Sequence, residues 1–233
     1  MGTMSGMATR RSYGQFCGLA HALDVVGERW TLLIVRELAI GPKRYTELAD
    51  ALTGIGTSLL ATRMRQLEAD GVIERRLALD KPGSSVVYDL SEAGRELARA
   101  VIPLAMWGAR HQMADVEFDE ELFRAEWLLA FLAADVRNDL PEGLDAVYEF
   151  RIGASVAALH LHAGGTRVTP GPTETPADAT IAAAPETVAA LVGGRLELGE
   201  ALTQGLLQAD GDSAAVAALV GVIEKRLRAL VPA

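Results

Sequence analysis

Residues 56–76, "GTSLLATRMRQLEADGVIERR", carry two patterns at once. Leu60, Met64 and Leu67 are spaced i, i+4, i+7 and so share one face of a helix. The other edge holds Thr57, Ser58, Ala61, Thr62 and Arg65, all small or hydrogen-bonding, and the helix stops at Gly71. Solubility alone would be served by Glu and Lys outside. Here Arg63, Arg65 and Gln66 come before the first acid, Glu68, a composition suited to a phosphate-lined groove.

Working outward, the neighbouring residues set this helix in a small frame. A first helix is predicted over 16–26 and a second over 28–40, with Trp30, Leu33, Ile34 and Leu38 near helical spacing. "GPKR" breaks the chain, and Tyr45 or Thr46 opens a short third helix that ends near Gly54. After the fourth helix, "VIERRLALD" and "SVVYDL" are β-rich runs around "KPGS", whose Pro and Gly signal a hairpin tip. Ser91 and Glu92 start a fifth helix to about Gln112, with a kink expected at Pro103. Short helix, tight turn, longer helix and basic hairpin make a winged helix-turn-helix. Only one helix fits lengthwise in a major groove, so others must prop it from behind, and the hairpin reaches the neighbouring backbone. The wing supplies Lys81, with Arg75 and Arg76 on the strand before it.

The order of elements also resembles a known family. "CGLAHALDVVGERWTLLIVRELAIGPKRYTELADAL" followed by "GIGTSLLATRMRQLEADGVIERR" is similar to HxlR-type winged-helix regulators, relatives of MarR and PadR proteins. The resemblance runs from about Cys17 to Gly108 and includes Gly27, Trp30 and Ile34 of a Gly-x-x-Trp-x-x-x-Ile segment. It implies a homodimer formed through the first and last helices of the domain, bound to a roughly palindromic duplex. The family's groove-facing positions fall on Thr57, Ser58, Thr62 and Arg63, with Arg65 beside them, and Arg76 and Lys81 complete the expected DNA-binding set. Cys17 stands where some relatives sense oxidants or electrophiles. The plainer reading is a small apolar residue opening a helix, because sensing needs a lowered pKa and exposure.

Bulk composition separates the halves. The chain has 233 residues, room for two cores, and half of them are hydrophobic. Its net charge of −9 conceals an asymmetry. Residues 1–113 hold 14 Lys+Arg against 12 Asp+Glu, a net of +2, whereas 114–233 hold 8 against 19, a net of −11. The acidic half discourages unspecific DNA binding by the whole molecule. No apolar run reaches the roughly 18 to 20 residues that span a bilayer. The opening "MGTMSGMATRRSYG" lacks the apolar core of a signal peptide and reads as a frayed tail, which implies a cytoplasmic location. One cysteine excludes an intramolecular disulfide framework.

After the acidic "DVEFDEE" a second domain is expected over 118–233, behind a first over 10–113. A helix at about 119–135 precedes the break "NDLPEG". "DAVYEFRIG" and "VAALHLHAG" read as antiparallel strands, "GGTRVTPG" as a turn into another. "DATIAAAPETVAALVGG" reads as a strand leading through Pro185 into a helix, and "LELGEALTQGLLQADGD" as a helix and a strand-like segment. An amphipathic helix starting near Asp212 or Ser213 closes the chain. This α+β order, a mostly antiparallel sheet covered by helices, resembles the sterol carrier protein type 2 fold over about residues 120–230. That resemblance implies an apolar interior able to hold a fatty acyl chain or sterol. Trp127, Phe131, Tyr148, Phe150, Leu159, Leu161 and Leu191 are the residues expected to line it, or else to fill an ordinary core. His160 and His162 share a strand face but lack a third metal ligand nearby, so they read as surface imidazoles. "GIGTSL" follows a helix rather than a strand and reads as a turn, not a phosphate loop. No nucleophile elbow or paired-acid arrangement appears, so neither an enzyme nor a cofactor is expected.

The expectation is therefore a dimeric, sequence-specific DNA-binding regulator, acting as a repressor, whose acidic half binds an apolar effector or stabilises the dimer. The competing expectation is a lipid-binding protein whose winged helix is an interaction module.

Overall fold

The computed structural model describes residues 12–78, 85–112, 123–133, 144–162 and 165–230. They divide into two compact units, one reaching Leu38 and resuming over Pro42–Arg95, the other taking Ala39–Gly41 and the chain from Glu96.

The first unit contains α1 (Gly18–Val26), α2 (Thr31–Ile40), α3 (Tyr45–Ala51), α4 (Thr57–Ala69), β1 (Ile73–Ala78) and β2 (Ser85–Leu90). On α4 the i, i+4, i+7 set is the buried one: Leu60, Met64 and Leu67 are 0%, 2% and 1% exposed. Ile34, Val35 and Leu38 of α2, Leu48 of α3 and Val72 beyond α4 are buried as well. Burying a side chain of this size stabilises by roughly 1.5–3 kcal/mol, which is why the apolar spacing dictates the helix's orientation. Gly71 ends the helix at φ +71°, a left-handed conformation that glycine adopts without a Cβ penalty. The chain then turns into β1. β1 and β2 pair antiparallel from Ile73↔Leu90 to Ala78↔Ser85, and Lys43 adds a short bridge to Tyr88 through N–H···O bonds of 3.0 and 2.8 Å. Ser91 closes the hairpin: its hydroxyl donates to the Val72 carbonyl and accepts the Gly94 N–H at 3.0 Å, capping α5 (Glu92–Gln112). α5 continues through Pro103.

The second unit holds α6 (Ala125–Ala133), β3 (Ala146–Ile152), β4 (Ser155–His162), β5 (Gly165–Pro170), β6 (Ala179–Ala183), α7 (Pro185–Val192), α8 (Leu198–Thr203), β7 (Leu207–Gly211) and α9 (Ser213–Leu230). The five-stranded sheet has the order β5-β4-β3-β6-β7. Only β3 and β6 pair in parallel, so the mostly antiparallel sheet read from the sequence is present. One sheet face is apolar because alternate residues point the same way. Tyr148 opposes Leu159, Ala146 opposes Leu161 and Phe150 lies beside Ile181. They join one buried cluster with Leu129 of α6, Leu191 of α7, Leu198 of α8 and Leu219 of α9. The "GD" ahead of the last helix has a geometric cause. Gly211 sits at φ +131°, and a Cβ there would lie 2.2 Å from the Asp178 carbonyl oxygen. Asp212 then accepts the Ala215 N–H at 2.8 Å and caps α9.

The opposite sheet face is polar. It carries Glu149 and Arg151 on β3 and His160 and His162 on β4. The 171–178 segment that links β5 to β6 is fastened there: Thr173 donates to Glu149 through its backbone N–H at 2.9 Å and its hydroxyl at 3.2 Å.

Candidate nucleic-acid interface

A helix turns about 100° per residue. Measured from the buried line of α4, Ser58, Thr62 and Arg65 come out on the far side, with Leu59 and Gln66 next to them and Thr57 and Arg63 flanking the core. Thr57, Ser58, Leu59, Arg65 and Gln66 are exposed accordingly, and Thr62 is partly so. The first turn is steadied from α3, where the Tyr45 hydroxyl donates to the Thr57 carbonyl oxygen at 2.8 Å. The Glu47 carboxylate in turn accepts the Arg44 N–H at 2.6 Å, holding the start of α3. Thr62 returns its hydroxyl proton to the Ser58 carbonyl at 2.9 Å. Arg65 lies along the helix, with Nε 3.2 Å from the Ala61 carbonyl and a terminal nitrogen 3.2 Å from Thr62 Oγ1. Both acceptors are neutral, so the full positive charge of Arg65 remains available to an incoming anion.

Arg63 is placed differently. Its side chain is only 13% exposed, and one terminal nitrogen meets Glu28 Oε2 at 2.7 Å while the other donates to Gln66 Oε1 at 2.7 Å. Glu28 belongs to the turn between α1 and α2. There Trp30 takes φ +79°, a rare conformation for a side chain of its bulk, with the Arg29 guanidinium 5.4 Å from its ring centroid. Glu28 was not expected at the interface, and Gln66 was singled out only within the acid-free run ahead of Glu68. The wheel alone would have placed Gln66 outward, whereas a pair across 35 residues leaves no trace in spacing.

On the hairpin, Arg76 pairs with Asp89 at 2.7 Å and is half exposed, while Arg75 lies over the Tyr88 ring at 5.7 Å. Lys81 falls outside the described residues. Cys17 immediately precedes α1 and is exposed, and the backbone N–H groups of Ala20 and Leu19 pull its thiol pKa below the ordinary value.

In the second unit Tyr148, Phe150, Leu159, Leu161 and Leu191 are brought together in the buried cluster, with Trp127 packed partly exposed against it. The Phe131 side chain lies outside the described residues. Tyr148 also donates its hydroxyl to the Ala215 carbonyl at 3.2 Å, and burial raises its pKa, reinforced by the charges of Asp178 and Asp212. His160 and His162 have ring centroids 6.0 Å apart, but each has another partner, Thr169 Oγ1 at 2.9 Å and Asp145 Oδ1 at 2.7 Å. Among the described residues no group of three or more His, Cys, Asp or Glu is placed to hold a metal ion. Among them, too, no helix is long and apolar enough to cross a membrane.

Comparison with known proteins also divides the chain in two, with the first match running past Arg95 to residue 116. Residues 25–116 match the HxlR-like helix-turn-helix family, and residues 128–224 match the SCP-2 sterol transfer family. The uncharacterized HTH-type transcriptional regulator sll1512 of Synechocystis sp. is 36% identical over 96 residues, 41% of this chain and 70% of that protein. YtcD of Bacillus subtilis, also an uncharacterized HTH-type transcriptional regulator, is 39% identical over 89 residues, 38% of this chain and 70% of its own length. The HTH-type transcriptional regulator YodB of Bacillus subtilis is 33% identical over 86 residues, 37% of this chain and 76% of that protein. All three alignments are shorter than half of this chain. The chain belongs to the HxlR-like helix-turn-helix family of transcriptional regulators, and behind that domain it carries one of the SCP-2 sterol transfer family.

Proposed function

We propose that the protein is a homodimeric, sequence-specific repressor that lays α4 in the major groove of a roughly palindromic operator. The observation that carries this reading is the division of α4 into a face buried to within 2% and a far face of Ser58, Thr62 and Arg65 with no apolar partner to satisfy. Ser and Thr hydroxyls serve either kind of base edge, and an arginine reaches guanine or phosphate. Thr57, Arg63, Arg76 and Lys81 complete the contact set. Dimerisation through the first and last helices is supported by exposed apolar side chains on each, Leu19 and Leu23 on α1 and Leu104 and Trp107 on α5. Apolar side chains gathered on one surface mark a protein–protein contact more often than the same residues scattered singly. The working boundaries are 10–113 for the DNA-binding domain and 118–233 for the second, and the site of action is the cytoplasm.

The second domain is read as the effector module. An acyl chain or sterol would enter the apolar layer between the sheet and its helices, and only differential affinity for two dimer geometries would change operator binding. The match to the SCP-2 sterol transfer family is what favours this over a purely structural role. Cys17 is proposed as a second input, in which oxidation at the start of α1 alters the dimer.

The test of the main reading is retardation of a duplex carrying the protein's own promoter region at low salt, against random competitor. Failure to retard it overturns the reading. Native mass spectrometry of the purified full chain should report a dimer and a co-purified apolar adduct; a bare monomer overturns both finer points. Diamide treatment that leaves operator affinity unchanged removes Cys17 from the scheme.

A further inference from the structure

We infer that the turn between α1 and α2 is the joint that sets α4 relative to α1, and so decides which half-site spacing the protein accepts. Glu28 and Trp30 are its positioning residues. The inference rests on α4 lying in the groove and on α1 joining the subunits. The turn itself is short. The Gly27 N–H still donates to the Leu23 carbonyl of α1 at 2.8 Å, and the Ile34 N–H already donates to the Trp30 carbonyl at 2.9 Å. Only Glu28 and Arg29 stand between Gly27 and Trp30. Among the described residues Trp30 is the one non-glycine at positive φ. A bulky side chain keeps that conformation only where its surroundings hold it, and such residues cluster at functional sites. Here the surroundings belong to the helix-turn-helix. The Trp30 ring lies against the turn between α3 and α4, where a Cβ on Gly54 would be 3.7 Å from its Cη2 atom. Glu28 grips α4 itself, through Arg63 at 2.7 Å. The guanidinium is planar and rigid, so it passes on a displacement of Glu28 rather than absorbing it.

α1 is held differently. Ala20 is its one buried residue, whereas Leu19 and Leu23 stand exposed. The core of the unit therefore does little to fix the direction of α1, and the turn does most of it. Docked on a second subunit, α1 takes its direction from that subunit and delivers it through Glu28 and Trp30 to α4. The two α4 helices of a two-fold dimer then stand at one separation and tilt, which only one half-site spacing matches. One base pair moves a half-site about 3.4 Å along the duplex and about 35° around it, more than a stiff joint takes up.

The experiment uses the full-length chain and the duplex it selects from a randomised pool. The half-sites of that duplex are moved apart or together by one and two base pairs, and affinity is read at each spacing. Wild type should lose about tenfold or more for one base pair, while Glu28→Ala should lose about threefold or less. Arg63→Met should flatten the profile as far, and adding Glu28→Ala to it should flatten it no further, because both cut the same link. Glu28 is 60% exposed and off α4, so its variant keeps the test readable even if Arg63→Met unsettles the helix. Leu38→Val, a core change at a residue 2% exposed that leaves the turn intact, should keep the wild-type profile. A profile as sharp in Glu28→Ala as in wild type overturns the inference. So does equal broadening by Leu38→Val, which would make the effect one of packing alone, or a wild type indifferent to spacing. If wild type selects no duplex, the assignment of α4 fails and takes this joint with it. If it binds its duplex as a monomer, the dimer reading fails and the joint with it, while α4 keeps its assignment.

Discussion

Replacing Glu149 tests whether the polar face of the second unit is held together by one buried carboxylate. Glu149 is 3% exposed and accepts from the Thr173 N–H, the Thr173 hydroxyl and Arg151 Nε at 2.9, 3.2 and 2.7 Å. Arg151 is 60% exposed, so water replaces the carboxylate around it and its ion pair contributes at most about 1 kcal/mol. The two Thr173 bonds are charge-assisted and shielded. Glu149→Ala strands both donors beneath the 171–178 segment, and together these losses cost about 3 kcal/mol. Glu149→Gln keeps one oxygen but turns an N–H towards donors, at a cost of about 1–2 kcal/mol. In calorimetry of the full chain the Ala variant should lower the second unit's transition by about 10 °C and the Gln variant by about half of that.

The same group fixes the sign of the pH response. The Thr173 N–H, first, and then Arg151 hold the Glu149 pKa below its ordinary value of 4.5 despite burial. A depressed folded pKa means that the unfolded chain takes up the proton first on acidification. Its stabilisation is fully present above the unfolded value and disappears as pH falls through the folded one. The gap between wild type and Glu149→Gln should therefore be constant from pH 6 to 8 and narrow below about pH 4.5. A transition shifted by less than about 2 °C in Glu149→Ala, or a gap that widens in acid, would refute the carboxylate's role as the fastener of this segment.

Leu60→Ala, at a site of 0% exposure, should cost the first unit about 2–5 kcal/mol in urea unfolding and leave the second unit's transition where it was. Arg65→Ala should change stability by less than about 0.5 kcal/mol yet reduce the slope of log affinity against log salt by about one for each subunit. Finding the slope intact would take Arg65 off the phosphate backbone. Burial, with Arg167 and His162 nearby, lowers the pKa of His160 below 6.5. The unfolded chain is protonated first in this case as well, so wild type should lose stability as pH falls from 6.5 towards 5, and His160→Gln should lose less of it.

The parts legible in the sequence were those written in local period. The i, i+4, i+7 set on α4 came out buried because 3.6 residues per turn leaves no other choice, and Gly71 ends the helix because only glycine takes φ +71° freely. Strand alternation on β3 and β4 likewise put Tyr148, Phe150, Leu159 and Leu161 on one face. What stayed hidden depends on residues far apart in the chain. Glu28 reaches Arg63 across 35 positions and Thr173 reaches Glu149 across 24, and neither distance has a period. Their effects are specific all the same. The first took an arginine that the family pattern would set in the groove and gave it an acidic partner. The second ties the 171–178 segment to β3.

That acidic partner changes what salt should do to operator binding. Four cations per subunit were expected at DNA: Arg63, Arg65, Arg76 and Lys81. Two of them already hold a carboxylate, Glu28 for Arg63 and Asp89 for Arg76, each at 2.7 Å. A phosphate approaching Arg63 or Arg76 exchanges one anion for another. Only a phosphate neutralised by a cation without an acidic partner drives net ion release into solution. If the two paired cations stay on their carboxylates, four of the eight contacts expected of the proposed dimer drop out, which gives a slope of about −4 in log affinity against log salt, against about −7 if all eight engage phosphate. Titration between about 50 and 200 mM salt separates these values easily. A slope near −7 would mean that Glu28 and Asp89 let go on binding, and Glu28→Ala should then strengthen binding to every sequence alike. A slope near −4 would leave both ion pairs intact on DNA. It also matches a chain of net charge −9, which must rely on hydrogen bonds from α4 more than on attraction to the duplex at large.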